Sequence, residues 1–394
     1  MTDAGVIGSP GRPERSSAPS GRWRWPELRD AQRTVLLDVL VHGTRSRADL
    51  TRRSGLSRAS LSRLTRELGD AGLVRETSAS PAEGRGRPSE MIAIVPDAAH
   101  FIGFKLTGDS LYTVVTDLSA KIRHSEGEPL VTRDVADVVA LIVRTAARLR
   151  ERFPRIAAIG VCLAGDVRVD PSGGGDVVVG SAFLGWDEVP LQALIEESVE
   201  LPVSVGNDVQ ALTTAHHWFG AGVGSSSLAV IGLGAGIGCG IVVGDQPVRG
   251  ARGHPGKVGH LPVTPDGPSC DVGHVGCVSA YVTIPAILRN AGGSAFRESH
   301  AAARAGQARA HTAFLAAAEA LGAVVASLAN LVDPERIIVT GEGLAVAEYA
   351  PEHLATAVRE RLDPAAEPPT VILQPFQFAD YAWGAAITAI SELV

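Results

Sequence analysis

The chain has 394 residues, 45% hydrophobic and 20% charged, with a formal net charge of −7, a length that exceeds one compact core and implies two or three globular domains. Its four cysteines (Cys162, Cys239, Cys270, Cys277) are too few for a disulfide framework, and the most apolar run, "LAVIGLGAGIGCGIVVG", is broken by glycines and falls short of a membrane span. With no apolar leader at the N-terminus, a cytoplasmic protein with reduced thiols and no membrane partner is expected.

Charge is unevenly spread. Residues 1–90 hold 16 Arg, no Lys and 11 acids, a net of +5, whereas residues 91–394 hold 20 basic and 32 acidic residues, a net of −12. A basic head on an acidic body suggests that the head alone meets an anion such as DNA.

In chain order, residues 1–26 are rich in Pro, Ser and Gly and read as a disordered tail. Residues 27–96 read as three helices and a hairpin. Val35, Leu36, Val39 and Leu40 recur at helical spacing. "SRADLTRRSG" opens on Ser46 and Asp49, a capping-box pair, and closes at Gly55. The next helix starts at Ser57, with Leu61, Leu64 and Leu68 on one stripe. Its opposite face carries Ala59, Ser62, Arg63 and Arg66, with Arg58 beside the cap. Small residues let such a helix enter a major groove, and arginines reach guanine edges or phosphates. Two helices joined by "GLS" with this face exposed make a helix-turn-helix; the bland alternative is a solvated helical hairpin. "GLVRET" and "EMIAIV" read as the strands of a wing. Between them, Arg85 and Arg87 flank a glycine before Pro88, either an A·T minor-groove hook or a plain turn.

Beyond residue 97 the chain reads as an α/β body of two lobes: lobe 1 over about 97–208 plus a C-terminal helix, lobe 2 over about 209–380. "IAAIGVCLAG" is a buried strand. "LPVSVGND" is another, ending in Asn207 and Asp208, which either cap the following helix or contact a ligand. "GLGAGIGCG" lacks the spacing of a nucleotide loop and reads as a strand–strand turn. "AFLAAAEALGAVVASLANLVD" is a long helix before strand "RIIVTG".

The order of "GVCLAG", "GND", "GLGAGIGCG", "GHPGKVGH", the stretch "CDVGHVGC" and "VTGEG" resembles the ROK family of sugar kinases and sugar-responsive repressors over residues 97–394. The repressor branch carries a winged helix-turn-helix in front, as residues 27–96 do here. The resemblance implies an actin-like, ribonuclease-H-type body with a cleft between lobes, and a homodimer or homotetramer on a palindromic double-stranded operator. It also shows departures. Lys105 stands where the kinases have an aspartate, and Thr107 replaces a glycine. Ala235 has lost a hydroxyl, Lys257 replaces a sugar-binding glutamate, and Ser279 replaces another. Asp208, the kinases' general base, is retained, but a base without a positioned phosphoryl donor is idle. The expectation is therefore a regulator, not an enzyme, with no ATP bound and Asp208 as a vestigial base; the alternative is an active sugar kinase with a DNA-binding head.

The resemblance further implies a ligand site at Asn207, Asp208, Lys257, His260 and Ser279, for a sugar or, given the new lysines, an anionic sugar derivative. A competing reading has Lys105 and Lys257 pairing with Asp208 or another acid to fill an emptied site, leaving no ligand site; a third has the body respond to a protein partner without any small molecule. Finally, the family's structural zinc takes one histidine and three cysteines. His260, Cys270 and Cys277 remain, and His274 is a candidate fourth ligand.

Overall fold

A computed structural model describes residues 23–78, 90–168 and 175–394; Arg85 and Arg87 lie outside the described residues. The head is built as its caps dictate. Helix α1 (Asp30–His42) buries Val35, Leu36, Val39 and Leu40. Strand β1 (Arg45–Ser46) leads into α2 (Arg47–Ser54), where the Ser46 hydroxyl accepts from the Asp49 amide at 3.1 Å and donates to its carboxylate at 2.7 Å. Gly55, at φ +66°, ends that helix in the left-handed region. Ser57 caps α3 (Arg58–Asp70), which buries Leu61, Leu64, Thr65 and Leu68. Strands β2 (Val74–Ser78) and β3 (Glu90–Ile94) form the wing hairpin, and β1 adds a third strand to it in the order β1-β3-β2.

The first lobe runs through β4 (His100–Leu106), β5 (Ser110–Asp117), β6 (Ile122–Pro129), α4 (Val135–Arg152), β7 (Ile156–Leu163), β8 (Asp166–Arg168), β9 (Val177–Ser181), β10 (Trp186–Val189), α5 (Leu191–Val199) and β11 (Val203–Asn207). Its main sheet has the order β11-β7-β4-β5-β6, parallel across β11-β7-β4 and antiparallel beyond, while β8, β9 and β10 form a small sheet beside it. Helix α6 (Asp208–Phe219) crosses to the second lobe. That lobe comprises β12 (Leu228–Leu233), β13 (Ile237–Val243), β14 (Gln246–Pro247), α7 (Ser279–Val282), α8 (Ile284–Ala291), α9 (Phe296–Arg304), α10 (Ala308–Val332), β15 (Arg336–Thr340), α11 (Ala345–Tyr349), α12 (Pro351–Arg361) and β16 (Thr370–Leu373), in a sheet of order β14-β13-β12-β15-β16. Helix α13 (Phe378–Leu393) returns to the first lobe.

Two glycines explain that return. Gly103 of β4 and Gly160 of β7 are register partners. A Cβ on the first would lie 1.8 Å from the Ala382 carbonyl oxygen, and on the second 1.9 Å from that of Ala385. Helix α13 thus rests on sheet backbone, an approach that any side chain at either position blocks. Helix α10 is long and apolar enough by composition to cross a membrane, but Phe314, Leu321, Val324 and Val325 are buried in the second lobe's core. The head does not stand apart. Its core residues Val35, Leu36 and Leu68 belong to one apolar cluster with Phe101, Ala215, Ile387 and Ile390 of the body, and Trp25 meets Phe101 edge-on with ring centroids 6.1 Å apart.

Candidate functional site

A cavity of about 670 Å³ opens between the lobes. Strand β4 brings Lys105 to it, and the junction of β11 with α6 brings Asn207 and Asp208. Asn207 is committed to the fold: its Oδ1 accepts from the amides of Val209 (2.9 Å) and Gln210 (3.3 Å), capping α6, and its Nδ2 donates to the Gly165 carbonyl at 3.0 Å. Asp208 accepts from the Val209 amide at 2.9 Å and from the Lys105 ammonium, which also stands 4.5 Å from the centroid of the Tyr381 ring. Lys105 and Asp208 are both buried.

The β12–β13 hairpin supplies Gly234, Ala235 and Gly236 to the cavity wall. Packing accounts for two of its glycines. A Cβ on Gly232 or Gly238 would lie 2.9 or 3.0 Å from Cγ2 of Val209 on α6, so the hairpin closes on that helix only without side chains there. The stretch is the strand–strand turn that its spacing suggests. Gly256, at φ +77°, presses on β13, where a Cβ would fall 1.7 Å from the Cys239 carbonyl oxygen. That seat presents Lys257 to the cavity rim, where its ammonium donates to Asp166 at the start of β8; His254 Nδ1 stands 3.7 Å from the same carboxylate.

Of the residues singled out as ligand contacts, Asn207, Asp208 and Lys257 line the cavity. His260 and Ser279 are not among the lining residues. The Ser279 amide donates to the Gly259 carbonyl at 2.7 Å, and its hydroxyl would be 2.6 Å from a Cβ on Gly259; Ser279 is packed against that loop. His260 faces sulfur: its Nδ1 is 3.9 Å from the Cys270 Sγ and 3.6 Å from the Cys277 Sγ. The His274 ring stands 4.6 Å from that of His260, and one ligand atom from each of the four residues lies within 4.8 Å of the others. Backbone geometry delivers the second histidine. The Cys270 amide donates to the His274 carbonyl at 2.8 Å, closing a turn in which Gly273 has φ +88°. Zinc bonds of about 2.3 Å to sulfur and 2.0–2.1 Å to nitrogen put the edges of a tetrahedron near 3.6 Å, so this set fits a Cys2His2 centre.

In the head, Ser57, Arg58, Ala59, Arg63 and Arg66 of the α3 face are exposed and Ser62 is half-buried. Arg63 lies 3.8 Å from Glu67, which also pairs with Arg29, whereas Arg58 and Arg66 have no ion-pair partner among the described residues. Asp166, Glu342 and Tyr381 are among the cavity residues that escaped the sequence reading. Only Glu342 left a signal, as an acid between glycines after a buried strand in "VTGEG".

The family model described as "ROK family" matches residues 101–391. The chain belongs to the ROK family. It is 25% identical over 350 residues to the xylose repressor of Caldicellulosiruptor bescii, covering 83% of this chain and 86% of that one. It spans 64% and 62% of the length of two other curated relatives. A crystal structure of a ROK family transcriptional regulator, a homolog of the E. coli MLC protein, superposes with a TM-score of 0.77 at 25% identity over 92% of this chain and 96% of that one. A ROK family glucokinase from Streptomyces griseus, solved with glucose and AMPPNP, has a TM-score of 0.63 at 27% identity over 74% of this chain and all of the kinase. The kinase match thus covers a smaller share of this chain than the regulator match does. Repressors and kinases of the family therefore share this body, and the fold is the two-lobed, actin-like α/β fold behind a winged helix-turn-helix.

Proposed function

We propose that this protein is a sequence-specific DNA-binding repressor of carbohydrate genes, with residues 27–96 as the reading head and residues 97–394 as a sugar-sensing body. The observation that carries this reading is helix α6. Its first turn lines the cavity, and Trp218 and Phe219 at its far end pack on the cluster that holds the head's core. Its 12 residues make a strut of about 18 Å. A ligand that favours one seating of α6 shifts the head accordingly, by no more than its differential affinity for the two arrangements. A homodimer or homotetramer would place two heads on a palindromic operator.

Phosphoryl transfer is not part of this function. The base it would need, Asp208, is held by the buried Lys105 ammonium, and the hairpin turn carries Ala235 without a hydroxyl. A coupled assay with ATP, magnesium and a sugar panel is expected to show no turnover; turnover abolished by Asp208→Asn would defeat the reading. His260, Cys270, His274 and Cys277 would hold one structural zinc, which supplies no chemistry and braces the loop that carries Lys257. Metal analysis is expected to find one zinc per chain, and chelation to lower the melting temperature; an equal loss in Cys277→Ser without any bound metal would remove the zinc from the account.

DNA binding is tested by selecting an operator from random duplexes and measuring affinity at physiological salt. Arg63→Ala is expected to weaken binding by about 1–3 kcal/mol. Unchanged affinity would reject α3 as the recognition helix.

A further inference from the structure

Helix α1 begins on a residue that its own chemistry disfavours. Arg29 is the N-cap, a place where Ser, Asp or Asn serve best and where the helix dipole opposes a cation. Its backbone amide is satisfied by Oε1 of Gln32 at 2.9 Å. A local rule broken at an exposed helix start calls for a compensating partner. That partner lies 38 positions on, in α3.

The Arg29 guanidinium donates to Glu67 Oε2, and its Nε donates to Gln32 Oε1 at 3.3 Å. The Gln32 amide nitrogen donates to the same Glu67 oxygen at 3.1 Å. Gln32 is buried and its amide is engaged on both sides, so the three side chains tie the first turn of α1 to α3. The other carboxylate oxygen, Oε1, stops 3.8 Å from the Arg63 guanidinium, beyond hydrogen-bond reach.

Glu67 is a hazard for a helix that reads DNA. It follows Arg63 by four residues, about 6 Å along the axis and about 40° around it. A carboxylate there repels phosphates and can capture the Arg63 guanidinium. The order Arg then Glu is the weaker one for such a pair, so a firm competitor suffices to keep them apart. The other acid of α3, Asp70, ends the helix about 10 Å beyond Arg63 and has no ion-pair partner among the described residues.

We propose that Arg29 is a positioning residue for DNA reading: with Gln32 it holds Glu67 off Arg63 and leaves that guanidinium for DNA. The proposal rests on the reading of α3 as the recognition helix above and adds a residue outside that helix.

Affinity of the full chain for the selected operator, measured across a salt series, tests it. Arg29→Ala is expected to weaken binding about three-fold or more at physiological salt. Glu67→Gln is expected to bind at least as tightly as the unaltered protein. Arg29→Ala combined with Glu67→Gln is expected to return to within about two-fold of Glu67→Gln alone. A purely structural role would not give that rescue, because the double variant lacks the tie as well. A loss that persists in the double variant overturns the proposal, and a salt slope shallower by about one then makes Arg29 a phosphate contact. Unchanged affinity in Arg29→Ala also overturns it. So does a Glu67→Gln variant that binds more than about three-fold worse, which makes the carboxylate itself a reader of DNA.

Arg63→Ala, measured beside them, separates the two readings. If it weakens binding while Arg29→Ala does not, this proposal alone fails. If it too is without effect, α3 falls as the recognition helix and this proposal falls with it. Circular dichroism checks the fold of each variant, and Arg29→Gln takes the place of Arg29→Ala if the latter does not fold.

Discussion

Lys105 and Lys257 both occupy positions where family resemblance leads to an acid, and both end in a pair with an aspartate. There the likeness stops. The side chains of Lys105 and Asp208 are 4% and 9% exposed, whereas those of Lys257 and Asp166 are 65% and 41% exposed. A buried pair is expensive to break because the surviving charge stays out of water, while an exposed pair contributes about 0–1 kcal/mol. One lysine is a fixed part of the cavity floor; the other is a movable latch at the rim. Two substitutions of the same type therefore mean different things, and burial is what separates them.

The sharpest way to break this contrast is Asp208→Ala. Leaving the Lys105 ammonium unpaired beneath the cavity is expected to cost about 3–5 kcal/mol, read as the shift in a urea unfolding midpoint. A loss below about 1 kcal/mol would show that the floor is wetter than its burial implies. Replacing both partners together, Lys105→Met with Asp208→Leu, is expected to recover most of that loss, since an apolar pair of similar volume carries no stranded charge. A double variant no better than the single one would mean that the pair holds the α6 N-terminus by more than its charge. The smallest effect is expected at the rim: Lys257→Met should change stability by less than about 1 kcal/mol and leave the unfolding midpoint nearly in place. A large loss there would erase the distinction between floor and latch.

Local chemistry made much of the fold legible. Ser46, Gly55 and Ser57 mark helix ends by side-chain caps and backbone conformation, which act within four residues, and the glycine-bounded apolar strands of the body declare themselves in the same way. What escaped depends on partners far along the chain. Strand β1 is two residues long, too short for any period, and exists because Arg45 and Ser46 meet Ile92 and Met91. His274, already legible as a candidate fourth ligand, is brought beside the sulfurs by a turn that closes from Cys270. His260 turns to those sulfurs and not to the cavity. Asp166 reaches Lys257 across 91 positions, whereas the pairing of Lys105 with Asp208, across 103, is one of the readings the sequence leaves open. A charge in a sequence announces itself; which of several acids it will answer is settled by the fold.

The glycine pair beneath α13 has a consequence for how the chain is born. Helix α13 fills the groove over Gly103 and Gly160, and Ile390 on its last turns belongs to the apolar cluster shared with the head. While residues near 390 have still to leave the ribosome, the apolar cluster beneath residues 27–96 lacks the side chains of Ile387 and Ile390. If residues 27–96 read DNA as proposed, a chain clipped before α13 is expected to present them on an incomplete seat.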